Sequence, residues 1–137
     1  MKKTICFMLI LSLLCSCLIA PCLAESRASN YFASYGASMS AAGGGGISIT
    51  FKAVGTGICN QIGVASYTVE RKDADGNWEN VSGSLSGQTG TNVASYTFGR
   101  YFQGVAGETY RIQVTFTCII GTSGETKSYT SGSIKAK

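Results

Sequence analysis

Histidine is absent from the 137-residue chain, and proline occurs only once, as Pro21. Without histidine, the chain cannot build a Ser-His-Asp or Cys-His catalytic group. Acidic residues are few as well, seven in all, and Asp73 and Asp75 lie too close together in the sequence to flank a glycosidic bond. We therefore expect a non-enzymatic protein with no catalytic residues and no cofactor.

Metal sites are disfavoured by the same shortage of ligands. The run 73–77, Asp-Ala-Asp-Gly-Asn, is similar to part of a calcium loop, but no glutamate stands near Ser84, where an EF-hand requires one. The Asp75-Gly76 pair instead favours a hairpin turn, with a looser calcium site as the alternative. Two cysteines outside the amino-terminal segment are too few for a four-ligand zinc site.

The amino-terminal 24 residues have the pattern of a secretory signal peptide. Lys2 and Lys3 precede an apolar stretch over 5–20, and Cys22 and Ala24 are small residues at the expected cleavage positions. The apolar stretch is shorter than the roughly 20 residues of a membrane span. We expect cleavage after Ala24 and a secreted protein. The alternative is cleavage before Cys17, which would leave a lipid-anchored chain.

The mature chain, residues 25–137, differs in composition from the precursor. Loss of Lys2 and Lys3 lowers the formal net charge from +4 to +2, and only two of the six cysteines remain. Scattered positive charge of this size predicts no nucleic-acid partner. We expect no transmembrane segment in the mature chain, an unknown extracellular protein or glycan as its partner, and a monomer or weak oligomer.

Alternating apolar and polar residues predict an all-β domain. Ile47, Ile49 and Phe51 share one face of a strand over 47–53, and the same pattern recurs over 109–118. Gly43 to Gly46 predicts a flexible turn or wide bulge after an opening edge strand. We accordingly divide the mature chain into an amino-terminal segment, 25–46, and a domain, 47–137. Fainter strands are predicted over 31–39, 64–71, 77–81, 93–98 and 126–134.

Three segments resemble the fibronectin type III family. Residues 67–78, with the sequence TVERK followed by a DGNW turn, are similar to its third strand and hairpin, and 107–114 to its sixth strand. Residues 121–134 resemble its last loop and strand. The resemblance implies a single antiparallel β-sandwich of about seven strands, of fibronectin type III or immunoglobulin type, in which the Tyr110 hydroxyl bonds to nearby backbone. The chain departs from the family in having Phe51 where a tryptophan is usual.

Cys59 and Cys118 are the remaining cysteines, and in such a sandwich they lie at the same pole. An exported protein with two cysteines is typically oxidised, which predicts one disulfide between them. Two buried, reduced thiols are the alternative.

Trp78, Tyr101 and Phe102 are the aromatic residues that strand alternation explains least. Exposed, they would stack on sugars or contact a protein; otherwise they cover the sheet or fill its edge. With loops over 54–63, 82–92 and 119–125 as the variable surface, we expect an extracellular binding or interaction module. A carbohydrate-binding module and an adhesion or assembly subunit are the alternatives.

Overall fold

The computed structural model describes residues 29–137, and it confirms the predicted all-β, antiparallel class. Within these residues no helix is long and apolar enough to cross a membrane. The strands form one sheet in the order β1-β2-β6-β7, in which β3, β4 and β5 also pair with β2, and β8 pairs with β6. Their bounds are β1 Phe32–Gly43, β2 Gly46–Lys72, β3 Trp78–Asn80, β4 Leu85–Ser86, β5 Thr89–Gln103, β6 Thr109–Ile120, β7 Ser123–Thr130 and β8 Ile134–Lys135.

The 27-residue strand β2 organises the whole sheet. Its first part, Gly46 to Val54, lies between β1 and β5, whereas its second part, Gln61 to Arg71, pairs with β6. The other side of the second part contacts the start of β5, then β4 and β3. The register shifts between Val54 and Cys59, and such irregularities bend a strand and increase its twist.

The core shows that the sheet curls over its own inner face. Residues of both parts of β2, including Ile49, Phe51 and Val64, belong to one buried cluster with Ile112 and Phe116 of β6. Strand β1 also contacts β6 and β8, to which it is not paired. The result is a half-barrel made from one continuous antiparallel sheet.

Residues 54–63 are not the loop that the sequence predicts. They continue β2 through the register shift, with Cys59 and Ile62 fully buried. The chain bends there without reversing, since β2 keeps β5 as a partner on both sides of the shift. The predicted loop 82–92 likewise contains β4 and the beginning of β5.

The glycine run forms a close turn, with Gly43 paired to Gly46. Gly45 has a φ of 84°, is buried, and donates its N–H to the carbonyl of Lys137. The Gly45 carbonyl accepts the N–H of Gly104. The predicted turn is present and is hydrogen-bonded on both sides, and glycine is required because a side chain at Gly45 would meet the backbone of Gly104.

The predicted closing strand over 126–134 is interrupted. Strand β7 ends at Thr130, and the Ser131 side chain, which is buried, accepts the N–H of Ile112 before the chain resumes in β8. The predicted signal peptide at 1–24, with the alternative cleavage at Cys17, lies outside the described residues.

Candidate functional site

The three aromatic residues singled out in the sequence lie in different environments. Tyr101 is 59% exposed, and its hydroxyl donates to the side chain of Gln103. Phe102 packs edge-on against Tyr110 of the core, with ring centroids 5.7 Å apart. Trp78 begins β3 and is half-buried. These residues do not form one aromatic surface.

Two cations lie near the Trp78 ring. The Arg111 guanidinium carbon lies 4.3 Å from the centroid of the Trp78 ring, and the Lys72 ammonium lies 5.9 Å away. Glu70 holds Arg111 in place through an ion pair at 2.5 Å. Because the Arg111 guanidinium lies over the Trp78 ring, a sugar would have to displace it to stack on that face.

The 73–77 turn is a hairpin turn, as predicted. One carboxylate oxygen of Asp73 accepts the backbone N–H of Asn77 at 2.7 Å, and Gly76 takes a φ of 88°. In the described part of the chain, no three histidine, cysteine, aspartate or glutamate side chains are grouped so as to hold a metal ion.

The two cysteines do come together. Cys59 of β2 and Cys118 of β6 are fully buried, with their sulfur atoms 3.1 Å apart as free thiols. Burial, followed by the contact with Cys59, raises the pKa of Cys118 to about 12. A thiol held protonated in this way is a poor nucleophile and a poor metal ligand.

A groove follows the gap between the two edge strands of the half-barrel. We define this seam as the gap between residues 34–39 of β1 and residues 128–134. At one end the Ser29 hydroxyl donates to the Glu125 carboxylate, and further along the Tyr129 hydroxyl donates to the Ala37 carbonyl at 3.3 Å. Strands β1 and β7 therefore run side by side in the same direction. Among the described residues, no ladder of backbone hydrogen bonds joins them.

Three adjoining cavities lie along the seam. The first, of 410 Å³, lies over the outer side of β1 between Lys52 and the Tyr129 ring. The second, of 450 Å³, is lined by Tyr35 and by Ser128 to Thr130, and the third, of 300 Å³, by 37–39 and 131–134. All three are open, and Tyr129 stands between the first two.

The edge of β1 presents unpaired backbone groups to the seam. Since the Ala37 carbonyl accepts the Tyr129 hydroxyl, it points away from β2. In an antiparallel ladder the N–H and C=O of a residue point to the same side and alternate along the strand. The outward groups are therefore those of Tyr35, Ala37 and Met39, whose side chains pack against the core.

The sequence contains a signal for this surface that composition alone does not reveal. No charged residue and no proline occurs between Arg27 and Lys52. Exposed edge strands are usually protected by lysine, proline or a bulge. Strand β1 has register shifts only near its ends, so its middle carries none of these protections.

Strand β7 carries two charged residues just before the seam, whereas β1 carries none. Glu125 pairs with Lys127 at 2.5 Å and accepts the Ser29 hydroxyl. These two contacts, that of Lys127 first, hold the pKa of Glu125 below its usual value. Strand β7 therefore carries the charged protection that β1 lacks.

Neither a protein-family model nor a curated protein matches this chain. Among solved structures, the chain is similar to "Crystal structure of protein from Archaeoglobus fulgidus", with 16% identity over 77% of this chain and 98% of that chain. The TM-score of that match is 0.38. At these values the match identifies neither a family nor a function.

Proposed function

We propose that the mature chain, residues 25–137, is an exported, non-enzymatic interaction module that assembles by adding a strand of a second copy to the edge of β1. The observation that carries the proposal is the unpaired and uncharged middle of β1, with its outward row of backbone groups. Addition of a strand to such an edge is a common route to protein association.

The sequence of β1 is complementary to itself. In an antiparallel pair of two β1 strands centred on Ala37, Tyr35 of one copy lies opposite Met39 of the other. On the outer face, Gly36 then lies opposite Ser38, so small side chains meet and no like charges do. A contact of this kind uses the same patch on both subunits, as a twofold dimer requires.

Tyr129 limits the strength of this association. Its hydroxyl donates to the Ala37 carbonyl, and its ring lies near Gly36. A second β1 strand has to displace the hydroxyl before it can bond to Ala37. We therefore expect a weak dimer whose population rises with protein concentration.

The module itself is proposed to be a diverged fibronectin type III-like domain. The Tyr110 hydroxyl accepts the N–H of Val105 at 2.9 Å, which is the kind of bond that the resemblance implies for this tyrosine. The strand pairing also supports it. Strands β1 and β5 flank the first part of β2, whereas β6 pairs with its second part and β7 pairs with β6.

Sedimentation velocity over a wide concentration range tests the assembly. Ala37→Pro removes an outward N–H, at an edge position where proline is tolerated, and should keep the variant monomeric. The matched control is Thr126→Pro on the edge of β7. The Ser131 N–H donates to the Ile112 carbonyl of β6. Because backbone groups alternate in direction along a strand, the Thr126 N–H points away from β6. This control should dimerise like the wild type.

Both variants should give the circular dichroism spectrum of the wild type. If Ala37→Pro does not fold, Ser38→Lys supplies a second variant, because it places a charge on the exposed outer face of β1. A wild type that stays monomeric at every concentration, or an Ala37→Pro variant that dimerises normally, would contradict the proposal. A monomer that binds soluble glycans would replace it with the carbohydrate-binding alternative. Mass determination of the mature amino terminus tests the export.

A further inference from the structure

Cys59 and Cys118 lie close enough to be joined and have no other chemical role in the described structure. The Cys118 thiol lies 3.1 Å from the Cys59 sulfur, and the Cys59 thiol donates to the Gly57 carbonyl at 3.4 Å. Neither metal binding nor acid–base chemistry is supported, because no third ligand and no histidine accompany them in the part of the chain described.

The packing around the pair closes it to reagents. Both residues have no exposed surface. The chain at Gly55 passes directly over Cys59, and a side chain at Gly55 would meet its sulfur. The residues on either side of Cys59, Ile58 and Asn60, are exposed, whereas Cys59 itself points inward. An oxidant therefore has no path to either sulfur in the folded protein.

We propose that Cys59 and Cys118 form a disulfide while the chain folds, and that folding then seals the bond from reductants. The oxidant is a protein or low-molecular-weight disulfide. One cysteine attacks it as the thiolate, releasing a thiol and forming a mixed disulfide, and the second cysteine displaces the other thiol. The two cysteines lose two protons and two electrons, and the oxidant is reduced to two thiols.

The bond would fasten the region from which β1 starts. Cys118 also contacts the carbonyl of Tyr31 at 3.7 Å, and that carbonyl accepts the N–H of Thr56 at 2.9 Å. The cross-link therefore joins β6 to the irregular part of β2 directly beneath the first residues of the edge strand. This inference is independent of assembly, since it concerns residues that the seam does not include.

The order of folding and oxidation is the measurable feature. Reduced, denatured protein is refolded with oxidised and reduced glutathione, and a parallel sample is folded under reducing conditions before it meets the same mixture. Mass spectrometry after alkylation in denaturant counts the thiols in each sample. We expect no alkylated thiol after refolding, and oxidation at least about tenfold slower in the prefolded sample, because the attacking species is the thiolate.

Resistance to reduction provides the second measurement. Once formed, the bond should survive dithiothreitol in buffer and be reduced rapidly when urea is added. A Cys59→Ser variant is the control for the count, because its single cysteine can be found only as one alkylated thiol or as one mixed disulfide with glutathione. Two alkylated thiols after oxidative refolding would overturn the proposal. Equal oxidation rates for the folded and unfolded chains would overturn the sealing.

Discussion

Replacement of Tyr110 by phenylalanine removes a single, partly buried hydrogen bond. The Tyr110 ring is 2% exposed and would keep its packing against Phe102. Only the hydroxyl is lost, and with it the bond that accepts the Val105 N–H at 2.9 Å. A hydrogen bond contributes about 1 kcal/mol net to stability, and leaving its donor unpaired costs somewhat more. We therefore expect the free energy of unfolding to fall by about 1–2 kcal/mol.

Urea unfolding of the purified mature chain measures this loss. The midpoint should fall while the slope of the transition stays constant, because the folded surface is unchanged. Tyr101→Phe is the matched control. The Tyr101 ring is exposed and its hydroxyl donates to the Gln103 side chain, so its removal should lower the free energy of unfolding by no more than about 0.5 kcal/mol. If Tyr110→Phe costs no more stability than Tyr101→Phe, the bond between the Tyr110 hydroxyl and the Val105 N–H does not stabilise the fold and the reasoning fails.

Two further predictions concern the core and the β7 edge. Phe116 is fully buried between Tyr35 and Tyr129, so Phe116→Ala should destabilise the fold by about 3–5 kcal/mol in thermal unfolding. The control is Ile58→Ala, because this side chain is 72% exposed and its loss should change stability by less than about 0.5 kcal/mol. The pKa of Glu125 is lower in the folded chain than its usual value of 4.5. The ionised carboxylate therefore stabilises the fold at pH values above 4.5, and this contribution is lost as the pH falls through the folded pKa. Glu125→Gln should therefore flatten the dependence of stability on pH below about 4.5, and an unchanged acid profile in urea titrations would show that the Lys127 and Ser29 contacts have no such effect.

Local patterns in the sequence predict much of the sheet. The period of two that places Ile47, Ile49 and Phe51 on one face also buries them, and the same pattern locates β6 correctly. The Asp75-Gly76 pair identifies its turn because glycine supplies the positive φ there. These features depend on residues that are close together in the sequence, so the sequence alone is enough to predict them.

The continuity of β2 could not be predicted in the same way. Gly55 and Gly57 look like turn residues, but tertiary pairing with β5 and β6 on either side keeps residues 54–63 in the strand. Glycine is needed at position 55 because the Cys59 sulfur packs against its backbone. This contact exists only in the folded structure, so a turn and a bent strand look alike in the sequence. Cys59 and Cys118 lie together because β6 pairs with β2 at this point.

The seam depends on strands that are distant in sequence. Tyr129 and Ala37 are 92 residues apart, and nothing local connects them. The absence of charge from β1 is visible in the sequence, but it identifies a binding edge only when the strand is known to lie unpaired at the border of the sheet. The separation of Trp78, Tyr101 and Phe102 follows from pairing as well, because β3 and β5 contact different parts of β2.

Amide hydrogen exchange resolved by residue tests assembly through β1 most directly. The outward N–H groups of Tyr35, Ala37 and Met39 should exchange rapidly in dilute protein and become protected as its concentration rises, while those of Thr126 and Ser128 on the β7 edge stay unchanged. Exchange at Tyr35, Ala37 and Met39 that is the same at every concentration, or protection that appears on β7 instead, would contradict the account.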